Sequence, residues 1–323
     1  MTTRRNFLKN TTMLAAGLGV SPLLSSSPLR SYQKEEVING KVRIAVIGVG
    51  MGCRDLQGAL TDNPWVHCVG MCDVNKVRLE EQLARFKKDF PEQTVSIKAY
   101  TDFREVLANK EIDGVIIATP DHWHPYIFAE ALKAGKAIYV EKPVGNSISE
   151  CNAMMDFQKK YKGVVTTGLW QTSQRYFRAA NEILKSGVLG DVYKVQLWLC
   201  QSTNPRPSVE DSEAPSTLDY DMWLGPAPER PFNNSRFRGW RGFWDYGGGQ
   251  QTDWGVHWID SAFDGLKALG LCDREYPDAV FSIAYKDPAS FNETPSCQTS
   301  IFQYKNFHIE WAQQVAYLYN RNQ

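Results

Sequence analysis

The run Lys41-Val-Arg-Ile-Ala-Val-Ile47 ends directly in Gly48-Val-Gly-Met-Gly52, and few local patterns restrict a fold more tightly. A short apolar run closed by glycine reads as a strand buried on both faces, the kind a parallel sheet needs. Gly48 and Gly50 let the backbone turn sharply and approach a pyrophosphate. The phosphate then rests on the amino end of the next helix, where unpaired N–H groups and the helix dipole favour an anion. The spacing departs from G-x-G-x-x-G, because the sixth position is Cys53 and Gly52 falls one residue short. Alone, the cluster also fits an ordinary turn. Its context decides.

A helix is expected from about Arg54. Strand Val66–Cys72, ending at Asp73, follows, with a helix over Lys76–Lys88. Ser96–Tyr100, Gly114–Ala118, Ala137–Val140 and Gly163–Gly168 read as further strands, with helices over Asp102–Ala108 and Pro125–Ala134. Such alternation implies right-handed crossovers, a doubly wound parallel sheet, and ligands at the carboxyl ends of its strands. This places a Rossmann dinucleotide-binding domain over residues 38–171, and 323 residues leave room for a second domain. The pattern changes after Trp170. Strand-like stretches at Asp191–Gln201, Ala279–Tyr285, Gln298–Tyr304 and His308–Gln314 predict an α+β domain over 172–323 with a largely antiparallel open sheet. The chain stops at Gln323 soon after the last of them, so this domain is expected to be truncated at its carboxyl end.

Lys plus Arg equals Asp plus Glu at 36 each, which removes the electrostatic case for a nucleic-acid partner and favours a small-molecule ligand. At the amino terminus, Thr3-Arg-Arg-Asn-Phe-Leu-Lys9 precedes a stretch from Thr11 to Pro28 without charge. This pattern is similar to a twin-arginine signal, and residues 1–30 are expected to be that signal, read by the twin-arginine export machinery and directing the protein to the periplasm. The stretch is short and rich in Gly, Pro and Ser for a bilayer span, so no stable membrane insertion is expected. Removal through Arg30 takes away Arg4, Arg5, Lys9 and Arg30 and no acid, leaving a mildly acidic chain. The twin-arginine route carries folded proteins, which suits a chain that must acquire a dinucleotide first.

Asp73, at the end of the second strand, stands where a carboxylate accepts from both hydroxyls of the adenosine ribose and repels a 2′-phosphate. NAD is therefore expected over NADP, although Lys76 and Arg78 lie close by in sequence. A helix cap is the competing reading of Asp73. Asp253 and His257 are four apart, so a helix would present both on one face as an oriented acid/base pair. Lys142, at a strand's carboxyl end before Pro143, is aimed at the ligand crevice, where its cation would lower the pKa of a hydroxyl being oxidised.

Three ordered signatures carry a family resemblance: Ala118-Thr-Pro-Asp-His-Trp-His124, Glu141-Lys-Pro143, and Gly247-Gly-Gly249 followed by Asp253-Trp-Gly-Val-His257. From Val42 to about Asp264 the chain resembles the glucose–fructose oxidoreductase, inositol dehydrogenase and rhizopine catabolism (Gfo/Idh/MocA) family, in its exported bacterial branch. The resemblance implies an NAD(P)-dependent oxidoreductase acting on a secondary hydroxyl of a sugar, cyclitol or glycoside, and a cis Lys142–Pro143 bond. It also implies a homo-oligomer formed through the second domain's sheet. Gly48, Gly50, Met51, Gly52, Asp73, Thr119, Pro120, His122, Trp123, His124, Glu141, Lys142 and Gln171 become the expected cofactor-binding residues, and Lys142, His257 and Asp253 the catalytic ones. Which of Lys142 and His257 is the proximal base stays open.

Other readings compete. An NAD-dependent glycosidase using transient oxidation and elimination would need a similar site, and a non-catalytic sugar- or cofactor-binding protein would keep the fold. His122 with His124, or His257 with Asp260, raises the question of a metal, but no third ligand has metal-site spacing and none is expected. The seven cysteines form no CxxC pair and read as small core residues. Trp240, Trp244, Trp254 and Trp258 are either an aromatic wall for a sugar face or core packing.

Overall fold

The computed structural model describes residues 41–50, 65–91, 97–201, 205–271 and 276–315. The expected export signal, Met51, Gly52 and the helix placed after Arg54 lie outside the described residues.

The chain divides into two compact units. The first comprises the chain through Glu141, Ser147–Thr166 and Ala214–Arg230, and the second Lys142–Asn146, Thr167–Glu213 and Pro231 onward. In the first unit, β1 (Val42–Ile47), β2 (Val66–Cys72), β3 (Lys98–Tyr100), β4 (Gly114–Ile117), β5 (Ala137–Val140) and β6 (Val165–Thr167) form one sheet in the order β3-β2-β1-β4-β5-β6. β1 pairs in parallel with both β2 and β4, so the order reverses on either side of it, the place where open α/β sheets bind ligands. β4 is buried along its whole length, as its unbroken Gly-Val-Ile-Ile predicts for a strand covered on both faces.

The helices start where side chains satisfy their free N–H groups. Asn75 accepts from Arg78 N at the start of α1 (Lys76–Asp89), Asp102 from Arg104 N at α2 (Phe103–Ala108), and Ser147 and Glu150 form a reciprocal cap on α4 (Ile148–Tyr161). α3 (His124–Lys133) begins on the turn that follows β4. Leu79 and Phe86 of α1 pack on Val46, Cys68, Met71 and Ile116 of the sheet. Burying one such aromatic side chain contributes about 1.5–3 kcal/mol. Cys68 and Cys72 are both buried in β2, and burial pushes the Cys68 thiol up to about 12, which makes it an inert core group.

The sequence reading assigns residues 172–323 wholly to the second domain, whereas Ala214–Arg230 packs with the first unit. The cause is local pairing: Lys76 N donates to Thr217 O, Asp219 N to Val74 O, and Asn75 bridges Leu218.

In the second unit, β7 (Lys194–Gln201), β8 (Ala279–Tyr285), β9 (Cys297–Gln303) and β10 (His308–Val315) form a sheet in the order β7-β10-β9-β8. The β8–β9 and β9–β10 pairs are antiparallel, and β7–β10 is parallel. α5 (Arg175–Lys185) precedes this sheet, and α8 (Val256–Ala268) covers one face of it, its Ala262 and Leu266 packing on Ile309, Tyr304 and Phe307. β8 is exposed throughout, including Val280, Phe281, Ile283 and Tyr285.

Candidate active site

The glycine turn in the first unit depends on the absence of a side chain. Gly48 has φ +89°, and a Cβ there would stand 2.6 Å from the carbonyl carbon and oxygen of Ala118 and from Thr119 N. Only glycine adopts that φ freely and lets β1 pass this close to the end of β4. Asp73 ties the turn down: its Oδ2 accepts from Val49 N at 3.0 Å and its Oδ1 from Asn75 N at 2.9 Å. Burial raises its pKa, opposed by the Asn75 N–H, the Arg78 charge and the Val49 N–H. Asp73 therefore braces the turn in addition to standing at the strand end where a ribose would meet it. The side-chain oxygen of Thr119, next to the turn, is buried with no partner among the described residues. A cradle that a Cβ would fill and an unsatisfied hydroxyl beside it fit a bound dinucleotide.

The histidines and tryptophan that follow in this motif are tied to backbone carbonyls. His122 Nε2 and Trp123 Nε1 both lie on the Trp223 carbonyl, at 3.0 and 2.9 Å, and His124 Nε2 lies 2.9 Å from Thr119 O. All three side chains are buried. These contacts make them braces as well: His122 and Trp123 anchor α6 (Tyr220–Leu224), and His124 holds the Thr119–Pro120 backbone. A carbonyl satisfied twice in the interior makes this anchoring costly to lose. Gly225 φ is +48° and a Cβ there would overlap the Trp123 ring, so the segment after α6 is cut to fit that indole. Glu141, after β5, accepts from Tyr139 Oη at 3.3 Å.

The second unit begins at Lys142, and the Lys142–Pro143 bond is cis. Gly249 takes φ +69°, a Cβ there would meet the Thr294 side chain at 2.9 Å, and the chain then enters a π-helical turn, Gln251–Gly255, before α8. Lys142 Nζ donates to the Asp253 carbonyl at 2.8 Å and to its carboxylate Oδ1. Arg241, in the short turn Trp240–Gly242 that follows α7 (Asn234–Arg238), meets the same Oδ1 through Nε at 3.1 Å and stacks on the Trp240 ring at 4.2 Å. Burial alone would raise the Asp253 carboxyl, but the Arg241 and Lys142 cations hold it below the usual range, so it stays charged.

His257 is 3% exposed, with Trp170 and Trp254 against its ring at centroid distances of 5.7 and 6.1 Å. Its Nδ1 is buried without a partner, and the expected hydrogen bond to Asp253 is not formed. The Asp253 carboxylate is taken up by Lys142 and Arg241 instead. Burial, then the Lys142 charge, drives the imidazole pKa down to about 4, partly opposed by Asp253. His257 is thus uncharged at neutral pH. Gln171, expected at the cofactor, is buried in this unit, and the single proton of the Ser261 hydroxyl is shared between Gln171 Oε1 at 3.2 Å and His257 O at 2.9 Å. Trp258 packs near Phe177, while Trp244 and Trp254 keep exposed faces, which splits the tryptophans between the two readings. Arg241 and Trp170 escape sequence reasoning, since neither has a fixed spacing to Asp253 or His257.

Among the described residues no group of His, Cys, Asp or Glu side chains is arranged to hold a metal ion, and no helix is long and apolar enough to cross a membrane.

Two family models match the chain. One, described as an oxidoreductase family with an NAD-binding Rossmann fold, covers residues 42–169, and the other, an oxidoreductase-family C-terminal alpha/beta domain, covers 178–267. Inositol 2-dehydrogenase of Salmonella typhimurium is 24% identical over 151 residues, 46% of this chain and 43% of that one. An alpha-N-acetylgalactosaminidase of Tannerella forsythia is 33% identical over 163 residues, 46% of this chain and 34% of that one. The chain thus spans well under half the length of these curated relatives. The WlbA dehydrogenase of Bordetella pertussis, solved with NADH and UDP-GlcNAcA, matches with a TM-score of 0.65 and 16% identity over 86% of this chain and 74% of that one, a likeness of fold.

Proposed function

Because the chain belongs to the glucose–fructose oxidoreductase, inositol dehydrogenase and rhizopine catabolism family of NAD-binding oxidoreductases, we propose that it oxidises a secondary hydroxyl of a sugar, cyclitol or glycoside. The observation that carries this reading is the Lys142–Asp253–Arg241 ion cluster with an uncharged, buried His257 in the same unit. Gly48, Gly50, Asp73, Thr119 and Glu141 would hold the dinucleotide, NAD in preference to NADP because Asp73 would repel a 2′-phosphate. When bound, NAD supplies the hydride acceptor. The chain's own groups handle the proton. Asp253 fixes the Lys142 ammonium, whose charge stabilises a hydroxyl on its way to alkoxide, and the neutral imidazole of His257 takes the proton. The exposed faces of Trp244 and Trp254 suit the apolar face of a sugar ring. Mass spectrometry of the denatured, freshly purified protein is expected to release NAD, and a carbohydrate panel to yield NADH. No bound or bindable dinucleotide would overturn the reading.

A second reading is favoured by the galactosaminidase relative: the same oxidation used transiently, to ease elimination of a glycosidic group. Incubation with aryl glycosides separates the two, since aglycone release that depends on NAD belongs to the glycosidase alone.

The depressed pKa of His257 sets the pH profile. A base works only when unprotonated, so the acid limb of kcat/KM is expected near pH 4 rather than near the ordinary 6.5. The folded pKa lies below the unfolded one, so the unfolded chain binds this proton more readily, and His257 erodes stability as pH falls from about 6.5 to about 4. Circular dichroism across the profile therefore accompanies the rates. An acid limb near 6.5 with the fold intact would show that His257 is not the base.

The exposed Val280, Phe281, Ile283 and Tyr285 of β8 support self-association through the second unit's sheet. Light scattering should give a multiple of the chain mass, which Phe281→Lys should reduce. The paired Arg4-Arg5 and the following uncharged stretch support twin-arginine export to the periplasm. A double Arg4→Lys, Arg5→Lys variant should then stay in the cytoplasm on fractionation, and its recovery in the periplasm would refute this.

A further inference from the structure

The ion cluster carries more positive charge than the proposed proton transfer uses. Lys142 and Arg241 meet a single carboxylate oxygen of Asp253, and the neighbouring imidazole is neutral. Two cations share one carboxylate oxygen. Arg241 is the one open to a ligand, because Lys142 is 15% exposed in its side chain whereas Arg241 is 44% exposed. It meets Asp253 through Nε. A guanidinium has five N–H donors, and no hydrogen bond from the four on its terminal nitrogens to another residue is formed among the described residues. Glu293, whose N–H donates to Gly242 O, accepts from Trp244 N at 3.0 Å. Trp240, stacked under the guanidinium plane at 4.2 Å, and the Asp253 contact fix the fork at two points. A planar, preoriented, partly exposed fork matches the paired oxygens of a carboxylate or phosphate.

We infer that Arg241 reads an oxyanionic substituent of the substrate, so that the enzyme acts on acidic sugars, as carboxylates or phosphate esters, ahead of their neutral parents. This rests on the proposed oxidoreductase reading and narrows its substrate class. Arg241 is a binding residue here, and its contact with Asp253 means that any replacement disturbs both groups. The informative quantity is therefore the ratio of kcat/KM for an acidic sugar to that for its neutral parent.

The test uses NAD-loaded protein and matched sets of pyranosides in neutral, uronate and 6-phosphate forms, with calorimetric titration of the same compounds into NADH-loaded protein. In the wild type the acidic-to-neutral ratio is expected to be about 10- to 100-fold, the range of charge-assisted hydrogen bonds, and to fall as salt is raised. Arg241→Gln should bring the ratio close to one, mainly through KM, and Arg241→Lys should restore part of it. The uronate and phosphate arms identify which oxyanion is read. If both activities fall in Arg241→Gln while the ratio holds, Arg241 only positions Asp253 and the inference is wrong. If neutral sugars are oxidised as well as acidic ones by the wild type, the inference fails and the oxidoreductase reading stands. If acidic sugars bind in an Arg241-dependent way but nothing is oxidised, the inference stands and that reading fails. Absence of binding by every acidic sugar counts against the inference.

Discussion

Replacing Lys142 with Ala is expected to lower kcat by about 10³-fold, within the range for a group that assists proton transfer in the transition state. The fold should survive, because Asp253 keeps Arg241 as a counter-ion and does not become an isolated buried charge. The second consequence separates a role in the reaction from a merely structural one. The Lys142 charge is one of the causes of the low pKa of His257, and removing it leaves burial opposed by Asp253. The acid limb of the residual activity should therefore move up from about 4, toward the ordinary imidazole value. A variant with wild-type kcat would remove Lys142 from the reaction. One with reduced kcat and an unmoved acid limb would mean that His257 is not the group titrating.

The fold was legible because its signals are local. The apolar run before Gly48 and the strands ending at Asp73 and Ala118 act within a few residues, whereas the helix Ile148–Tyr161 and its Ser147 cap went unread. The candidate site was less legible in its geometry. The expected Asp253–His257 hydrogen bond does not form because Lys142 and Arg241 hold the Asp253 carboxylate, and both are far from it in sequence or at no fixed spacing. The contact of His122 and Trp123 with the Trp223 carbonyl was not legible either, because that carbonyl lies about a hundred residues on, beyond the reach of any periodicity. Arg241 was missed for the same reason: a single basic residue in an aromatic stretch is unremarkable until the fold stacks it on Trp240 and brings it to Asp253. The parallel β7–β10 pair in a sheet read as largely antiparallel is likewise a long-range choice.

Gly48→Ala is expected to be among the most damaging single-methyl changes in the first unit. Two costs combine. A non-glycine residue at φ +89° carries strain of about 1–3 kcal/mol. The new Cβ also lands 2.6 Å from three backbone atoms of Ala118 and Thr119, so no side-chain rotamer can relieve the contact. Relief would require the end of β4 to move, and Ala118 N donates to Ile47 O at 2.8 Å while Ile47 pairs with Ile117, which holds both strands in place. Overpacking of this kind costs about 1–3 kcal/mol more. The transition of the first unit should fall by several degrees, at about 2–4 °C per kcal/mol for a domain of this size. The glycine turn is also the proposed phosphate cradle, so the fraction of protein that purifies with NAD should drop at least about tenfold, as about 1.4 kcal/mol of lost binding would produce. Gly135→Ala is the matched control. Gly135 too has a positive φ, +70°, but nothing lies within 4 Å of its would-be Cβ, so it tests backbone strain without the clash. If both variants melt alike and retain NAD alike, the close approach of Gly48 to β4 has no part in holding the cofactor. Loss of NAD in Gly48→Ala alone would assign that role to the turn.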